Sequence, residues 1–373
     1  MRCDALVIGG GPAGAACAIG LARAGQRVVV LEKARFPRRK VCGEFVAASG
    51  IRSLAALGLG ARFAALAGPP VRRVALWTAR AALDARLPQR HGAARALERE
   101  ALDRLLLDEA RASGAEVLQP MQALSVSRDK AVFHCAAAGK RGGGRVEIEA
   151  RAVIAAHGSW RPPGKLLGFQ AHLRDAELPR ASIVLVPFAG GYAGIVERDN
   201  ARATLACCVR RDVLAQMRLA GRGAGESLFG FLMERNRFVR RSLAGASLDG
   251  AWLAAGPLQP GCRPLYREGV FSVGNAAGEA HPVVGEGIAM ALGSAALLGE
   301  RLDALLKKDF TRKDELGAAR AYASAWRRHF ALRLWASARL AQLAMLPSAA
   351  DWAARLLAPA PGLLALAARL SGK

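Results

Sequence analysis

Residues 3–33 read "CDALVIGGGPAGAACAIGLARAGQRVVVLEK". A short apolar run from Ala5 to Ile8 is followed by a glycine turn, about a dozen helix-compatible residues and a second apolar run from Arg27 to Leu31. This order predicts a βαβ unit. Its turn carries Gly9-x-Gly11-x-x-Gly14, and Glu32 follows at the end of the second strand, 18 residues after Gly14. Gly9 permits the tight turn, Gly11 lets the backbone approach a pyrophosphate, and Gly14 lets the helix pack close to the strand. Pro12 and Ala13 open the helix, whose N-terminal amides face the phosphates. A carboxylate at Glu32 is placed to accept the hydrogens of a ribose 2′-hydroxyl, which favours FAD or NAD over a phosphorylated NADP ribose.

The next stretch, "LEKARFPRRKVCGEFV" (31–46), places Lys33, Arg35, Arg38, Arg39 and Lys40 directly before Cys42-Gly43-Glu44. A dinucleotide brings a pyrophosphate dianion, and a loop of cations after the ribose-binding acid can neutralise it through charge-assisted hydrogen bonds. Arg38 and Lys40 are assigned that part, and Arg35 and Arg39 are read as solvated surface.

Composition sets the frame. At 373 residues the chain can bury a large core without disulfide staples. Its seven cysteines show no C-x-x-C pair, which points to reduced thiols in a cytoplasmic protein and to no metal site. The first strand starts four residues from Met1, with no room for a signal peptide before it, and no uncharged run approaches the length of a spanning helix. The net charge of +24 is spread over nearly every segment and comes with few aromatics, an arrangement that disfavours nucleic acid and suits general surface basicity or an anionic lipid surface.

Along the chain, Val71 to Pro88 alternates like strand, and "RALEREALDRLLLDEARASGAEV" sets Leu97, Ala101, Leu105 and Leu106 on one helical face with a stop at Gly114. Three strands follow, with a hairpin turn between Cys135 and Val146. "ASIVLVPF", "GGYAGIVERD" and "ARATLACCVRRD" read as antiparallel strands without helical crossovers, with a turn at Asp199-Asn200. Cys207 and Cys208, adjacent in such a strand, should face opposite ways. A strand ending at Val273, a loop of small residues and a helix from Gly287 follow, the helix N-terminus offering partial positive charge to the loop. Farther on, Tyr322, Trp326, Phe330 and Leu334 form one helical stripe among arginines. The last segment consists of two apolar pieces broken by Pro359 and Pro361.

The fingerprint, the cationic K-x-C-G-E loop, "RxxLD" at Arg99–Asp103 and the late "GNAAGxxxPxxGEGI" together resemble the FAD-dependent oxidoreductases of the para-hydroxybenzoate-hydroxylase fold, nearest to their geranylgeranyl-reductase-like branch. The resemblance implies an α/β (α+β) protein: a Rossmann-like FAD-binding domain of three-layer ββα architecture (1–70, 91–160 and 264–305), an antiparallel-sheet substrate domain (71–90 and 161–263) and a C-terminal helical cap (306–373). It implies that Gly9, Gly11, Ala13, Gly14 and Glu32 hold the ADP half of FAD. Lys40 and Arg99 would hold phosphate and ribityl, and Gly274, Asn275, Gly285, Gly287 and Ile288 the flavin side, with Pro12, Lys33, Arg38, Cys42, Gly43 and Glu286 completing the cofactor set. Three positions depart from the family pattern. Asn275 stands where it has aspartate, His157-Gly158 where many monooxygenases have Asp-Gly, and Tyr192-Ala193-Gly194 where the reductases have Y-x-W, which leaves space above the flavin and points to a substrate other than the archaeal prenyl lipid.

Flavin performs the electron chemistry and the protein supplies position and charge. Glu44 and His281 are the candidates to move a proton, and Tyr192 the candidate substrate contact. The first reading is an NAD(P)H-fuelled monooxygenase hydroxylating a hydrophobic or aromatic small molecule. The second is an ene-reductase of a prenyl or polyketide-like substrate, and the third a flavin carrier or electron relay. The absence of W-x-W-x-I-P disfavours halogenation. The expected partner is a small hydrophobic molecule. The basic C-terminal helices suggest peripheral association with the inner face of a membrane, and no obligate protein partner is evident.

Overall fold

Side-chain alternation along the first strand decides how the layers stack. In β1 (Arg2–Ile8), Ala5 and Val7 join a cluster under the helices, while Leu6 and Ile8 join one on the opposite face. The computed structural model describes residues 1–357 other than 88, 90, 91, 140–143, 160–163, 200 and 219. After β1 come α1 (Pro12–Arg23), β2 (Val28–Leu31) and α2 (Arg99–Ala112). The long β3 (Arg145–Ala155) then pairs parallel with β1 on the side away from β2. Residues Glu116–Leu118 extend the parallel sheet beyond β2, and Val270–Ser272 extend it beyond β3.

The first half of β3 also pairs antiparallel with Val132–Gly139, which pairs in turn with Met121–Asp129. This meander covers the Leu6, Val29 and Leu31 face through Phe133, Cys135 and Ile148. Helices cover the other face, so the unit has the three-layer ββα stacking of the FAD-dependent hydroxylase fold.

The second sheet contains β4 (Leu166–Arg174), β5 (Ser182–Phe188), β6 (Gly191–Asp199) and β7 (Arg202–Arg210), in the order β4-β7-β6-β5. Arg73–Trp77 joins parallel to β5, and Ala82–Arg86 closes that edge. Cys207 and Cys208 do fall into different clusters on opposite faces. Helices at Arg211–Met217, Ala224–Arg235 and Arg237–Leu243 cover one face of this sheet, where the sequence reading had strands alone. They are short, and Leu228, Leu232, Val239 and Leu243 become one buried face only when the sheet is beneath them.

The chain returns to the first layer in α3 (Gly287–Leu306), followed by α4 (Arg312–Ala344) and α5 (Pro347–Leu357). Thr311 caps α4 in a reciprocal pair with Asp314, and Tyr322, Trp326, Phe330 and Leu334 bury one stripe of α4 against α3 and the late loop. Leu97 lies before α2 rather than on its face, and Gly114 ends that region with φ +98°. Residues 140–143 of the hairpin turn, Asn200 and the Pro359–Pro361 break lie outside the described residues. Among the described residues, no helix is long and apolar enough to cross a membrane.

Trp326 is almost fully buried, T-stacked on Phe330, and fills the space over Gly278. Trp326→Ala is expected to cost about 3–5 kcal/mol, read as a lowered denaturant midpoint with FAD held saturating. A loss below about 1 kcal/mol would mean that α4 does not hold the late loop.

Candidate functional site

The opening turn is shaped by clashes that only glycine avoids. Gly9 sits at φ +114°, and a Cβ there would lie 2.5 Å from the Ala156 carbonyl oxygen; one on Gly14 would lie 1.9 Å from the carbonyl oxygen of Gly9. At Gly11, the residue before α1, the nearest atom to such a carbon is a guanidinium nitrogen of Arg38, 3.9 Å away, so the space in front of the helix amides is open and faces a cation. Pro12 fills the first helical position. Glu32 accepts from the Gly10 amide at 2.9 Å and the Ala34 amide at 2.8 Å, which fixes its carboxylate beside the turn with lone pairs left for a ribose.

The cationic loop folds over this turn. Arg38 lies 3.7 Å from Glu32 and 3.3 Å from Asp103, with its guanidinium on the Phe36 ring. Asp103 also takes two 2.9 Å hydrogen bonds from buried Arg99. Lys40 stands at the mouth of the cleft, its Nζ 3.3 Å from where a Cβ of Gly158 would be. Crowding by protein, then the Arg99 and Arg38 charges, push its ammonium down to about 8, although solvent reaches it. Burial and the nearby cations Lys33, Arg263 and Lys40 lower the His157 pKa. Arg39 reaches the Ala251 carbonyl across to the second sheet, and Arg35 is exposed.

The late loop lies against the start of α1. Gly274, at φ +60°, donates its amide to Ser294, and a Cβ there would press on Ala13 at 2.8 Å. Asn275 donates to Ser159 at 3.1 Å, Ser159 donates to Glu279 at 2.9 Å, and Arg263 binds both the Asn275 carbonyl (2.6 Å) and Glu279 (3.3 Å). Gly285, at φ +66°, abuts Phe45. Glu286 precedes α3 with its carboxylate turned to Arg333 of α4 at 3.3 Å. Ile288 is in the core, and a Cβ on Gly287 would meet nothing within 4 Å. The residues fit FAD: two helix N-termini open onto unfilled space, cations surround the first, and a fixed carboxylate stands beside it.

Glu44 does not have the geometry of a proton donor. Its carboxylate accepts from the Arg99 amide (3.2 Å) and Thr204 Oγ1 (2.6 Å) and shares a 3.0 Å hydrogen bond with His172 Nε2, at a backbone φ of +56° that a non-glycine residue holds only under constraint. Burial would raise its pKa, but these hydrogen bonds outweigh burial and hold it below the usual carboxylate range. It therefore remains an ionised acceptor joining α2 to β4 and β7 and positions the loop beside it. The Cys42 thiol accepts the Glu44 amide at 3.2 Å, the Cys42 amide donates to Gln170, and burial raises the thiol pKa. A Cβ on Gly43 would lie 3.9 Å from Ala206 of β7.

The other candidates meet at the far end of the late loop. Tyr192 Oη lies 2.6 Å from His281 Nδ1, both buried, with the rings tilted 50° at 5.4 Å. Burial pushes His281 down to about 4 and the Tyr192 phenol well up, so a neutral imidazole and a protonated phenol share this hydrogen bond. Next along the same face of β6, Gly194 is cross-strand from Ala206, and a Cβ on Gly194 would meet nothing within 4 Å. This wall is small and uncharged.

The sequence reading did not single out Gln170, His172, Thr204, Ser159, Arg263 or Glu279. Gln170 and His172 sit two apart in an otherwise apolar strand, the one signal that a buried polar face lay there.

A family described as FAD binding domain matches residues 2–203. A menaquinone reductase of Mycobacterium tuberculosis is 32% identical over 172 residues, 45% of this chain and 41% of that protein. A digeranylgeranylglycerophospholipid reductase of Methanothrix thermoacetophila is 25% identical over 323 residues, 80% of this chain and 77% of that protein. The match thus spans about two-fifths of the menaquinone reductase. Among solved structures, the flavin-dependent brominase Bmp2 superposes with a TM-score of 0.82 at 17% identity, covering all of this chain and 94% of the other. PqsL of Pseudomonas aeruginosa, in complex with 2-aminobenzoylacetate, gives 0.75 at 21%, covering 94% and 98%. These likenesses are of fold.

Arg38→Ala with Lys40→Ala is expected to raise the dissociation constant for FAD about 100-fold, at roughly tenfold per charge-assisted contact, with the circular dichroism unchanged. A pH series adds a sign. Free Lys40 loses its proton near 8, whereas a bound dianion would hold that proton to higher pH. FAD affinity should therefore fall as pH rises above about 8, and Lys40→Ala should flatten the slope; an equal slope in wild type and variant would remove Lys40 from the phosphate site.

Proposed function

Since the chain belongs to the FAD-binding-domain family and is an FAD-dependent oxidoreductase, we propose that it reduces a carbon–carbon double bond in a lipophilic, prenyl-like or quinone-like molecule, with NAD(P)H as electron source. The observation that carries this reading is the Tyr192–His281 hydrogen bond beside the uncharged wall of Gly194 and Ala206. Reducing such a bond consumes one hydride equivalent and one proton. Reduced FAD supplies the hydride equivalent. Tyr192 Oη supplies the proton and regains one from solvent after product leaves, and His281, kept neutral by its burial, orients the phenol through Nδ1.

The chain's other residues serve position. The Gly43 backbone, fixed by Cys42–Gln170 and Glu44–His172, lies over Ala206, and Gly194 leaves room for a bulky substrate. The apolar surroundings of Tyr192, which include Leu166, Leu258 and Val283, exclude water and suit a greasy substrate. The relatives named as reductases of menaquinone and of digeranylgeranylglycerophospholipid support the substrate class. Hydroxylation of a hydrophobic or aromatic molecule is the second reading, supported by the same water-excluding wall.

Two experiments decide. In the first, the protein is reduced without oxygen and mixed with menaquinone or a geranylgeranyl lipid. Flavin reoxidation with loss of a substrate double bond is expected. Reoxidation that requires oxygen and carries its label into product would instead establish hydroxylation. In the second, Tyr192→Phe should slow substrate-dependent reoxidation by about 10²–10⁴-fold with FAD occupancy unchanged. Gly194→Trp, which restores the Y-x-W of the reductases, should narrow the range of substrates turned over while leaving the flavin spectrum intact; full activity of Tyr192→Phe would overturn the assignment.

A further inference from the structure

On α4 two opposite stripes run along one helix. Phe330, Leu334, Ser337 and Ala341 face inward, and Ser337 Oγ takes the His281 amide while Ala341 packs with Tyr192. On the other side, Arg328, Leu332, Trp335, Arg339 and Leu343 recur at spacings of three or four residues, which places them on one narrow face at 3.6 residues per turn. That face is in water: Leu332 is 71% exposed, Trp335 60% and Leu343 53%. Leu346, just past α4, and Trp352 of α5 are exposed as well. An Arg guanidinium lies over each tryptophan, Arg339 on Trp335 and Arg355 on Trp352.

Charge identifies the partner. Residues 316–350 contain five arginines and no acid. A patch that pairs exposed tryptophan and leucine with arginine, and in which Asp351, the acid beside Trp352, is turned to Arg80 at 3.9 Å, complements a surface that is apolar within and negative at its rim. We propose that the outer face of α4, extended by Leu346 and Trp352, docks the protein on an anionic lipid bilayer. Trp335 and Leu332 enter the headgroup boundary, and Arg328 and Arg339 meet lipid phosphates. The helix that lies on the lipid would then carry Ser337 and Ala341 on its other side, against His281 and Tyr192. Collecting substrate from the bilayer rests on the lipophilic substrate proposed above; docking itself does not.

The test uses the full-length, FAD-loaded protein, vesicles of phosphatidylcholine with about one-third phosphatidylglycerol, and vesicles of phosphatidylcholine alone, without substrate. Wild type should sediment with the anionic vesicles, with a blue-shifted tryptophan emission that Trp335→Phe reduces. Its affinity for the neutral vesicles should be at least about tenfold weaker. Arg328→Ala with Arg339→Ala should weaken anionic binding about 25-fold, at about fivefold per arginine, and salt should weaken wild type in the same way. Leu332→Ser with Trp335→Ser should remove binding while the flavin spectrum and melting temperature stay as in wild type. Wild type left in the supernatant with anionic vesicles at low salt would overturn the proposal, as would binding that neither pair of substitutions weakens. A wild-type dimer in solution that Leu332→Ser with Trp335→Ser dissolves would also overturn it, assigning the face to a second copy. A failure of turnover with intact vesicle binding would bear on the substrate reading alone.

Discussion

The Glu44 carboxylate is the point at which the two sheets become one enzyme. A buried charge is tolerated only when hydrogen bonds replace the water it has lost. Here the replacements come from three separate elements: the Arg99 amide at the start of α2, His172 on β4 and Thr204 on β7. Any displacement of the second sheet would strip hydrogen-bond partners from an ionised acid. Mutual placement of the layers is thus set by an electrostatic penalty as well as by apolar contact, and the left-handed backbone at Glu44 is held by the same constraint.

From that joint the cofactor cleft inherits its charge pattern. Asp103 is shared between Arg99 and Arg38, and Glu32 is spent mainly on backbone amides. The cations around the α1 N-terminus therefore outnumber the carboxylates that hold them. Lys40 has a lowered pKa, first because protein crowds it and then because Arg99 and Arg38 stand near it, so its positive charge is costly until an anion arrives. The cleft resists its own charge and is relieved by a pyrophosphate, which favours binding over mere surface basicity.

What could be read from the residues divides along the same physical line. The glycine turn, Glu32, the loop cations and the Gly287 helix start were legible because local sterics and helix dipoles act within a few residues. The inward stripe of α4 was legible because 3.6-residue periodicity is local as well. The short helices over the second sheet were not, since they owe their burial to strands far away in sequence. Glu44 was noticed for its motif yet read as an acid. Its lone pairs are occupied by residues 128 and 160 positions away, which no local pattern announces. Likewise Asn275, read through the aspartate it replaces, is held by Ser159, 116 positions away, and by Arg263, with Glu279 of the same loop joining the two.

The helix α4 links these scales. Its inner face holds the late loop at two points, Ser337 on the His281 amide and Arg333 on the Glu286 carboxylate, one on each side of the Pro282–Val284 turn that leads into α3. A helix of 33 residues is stiff across its width, so a force on its outer stripe is carried to both contacts together. Arg333 reaches solvent, but its partner carboxylate is fully buried, and moving the guanidinium would draw it away from a buried charge. The contact is therefore expected to hold rather than slide. Whatever α4 rests on outside then sets the orientation, though not the internal geometry, of the loop that carries His281.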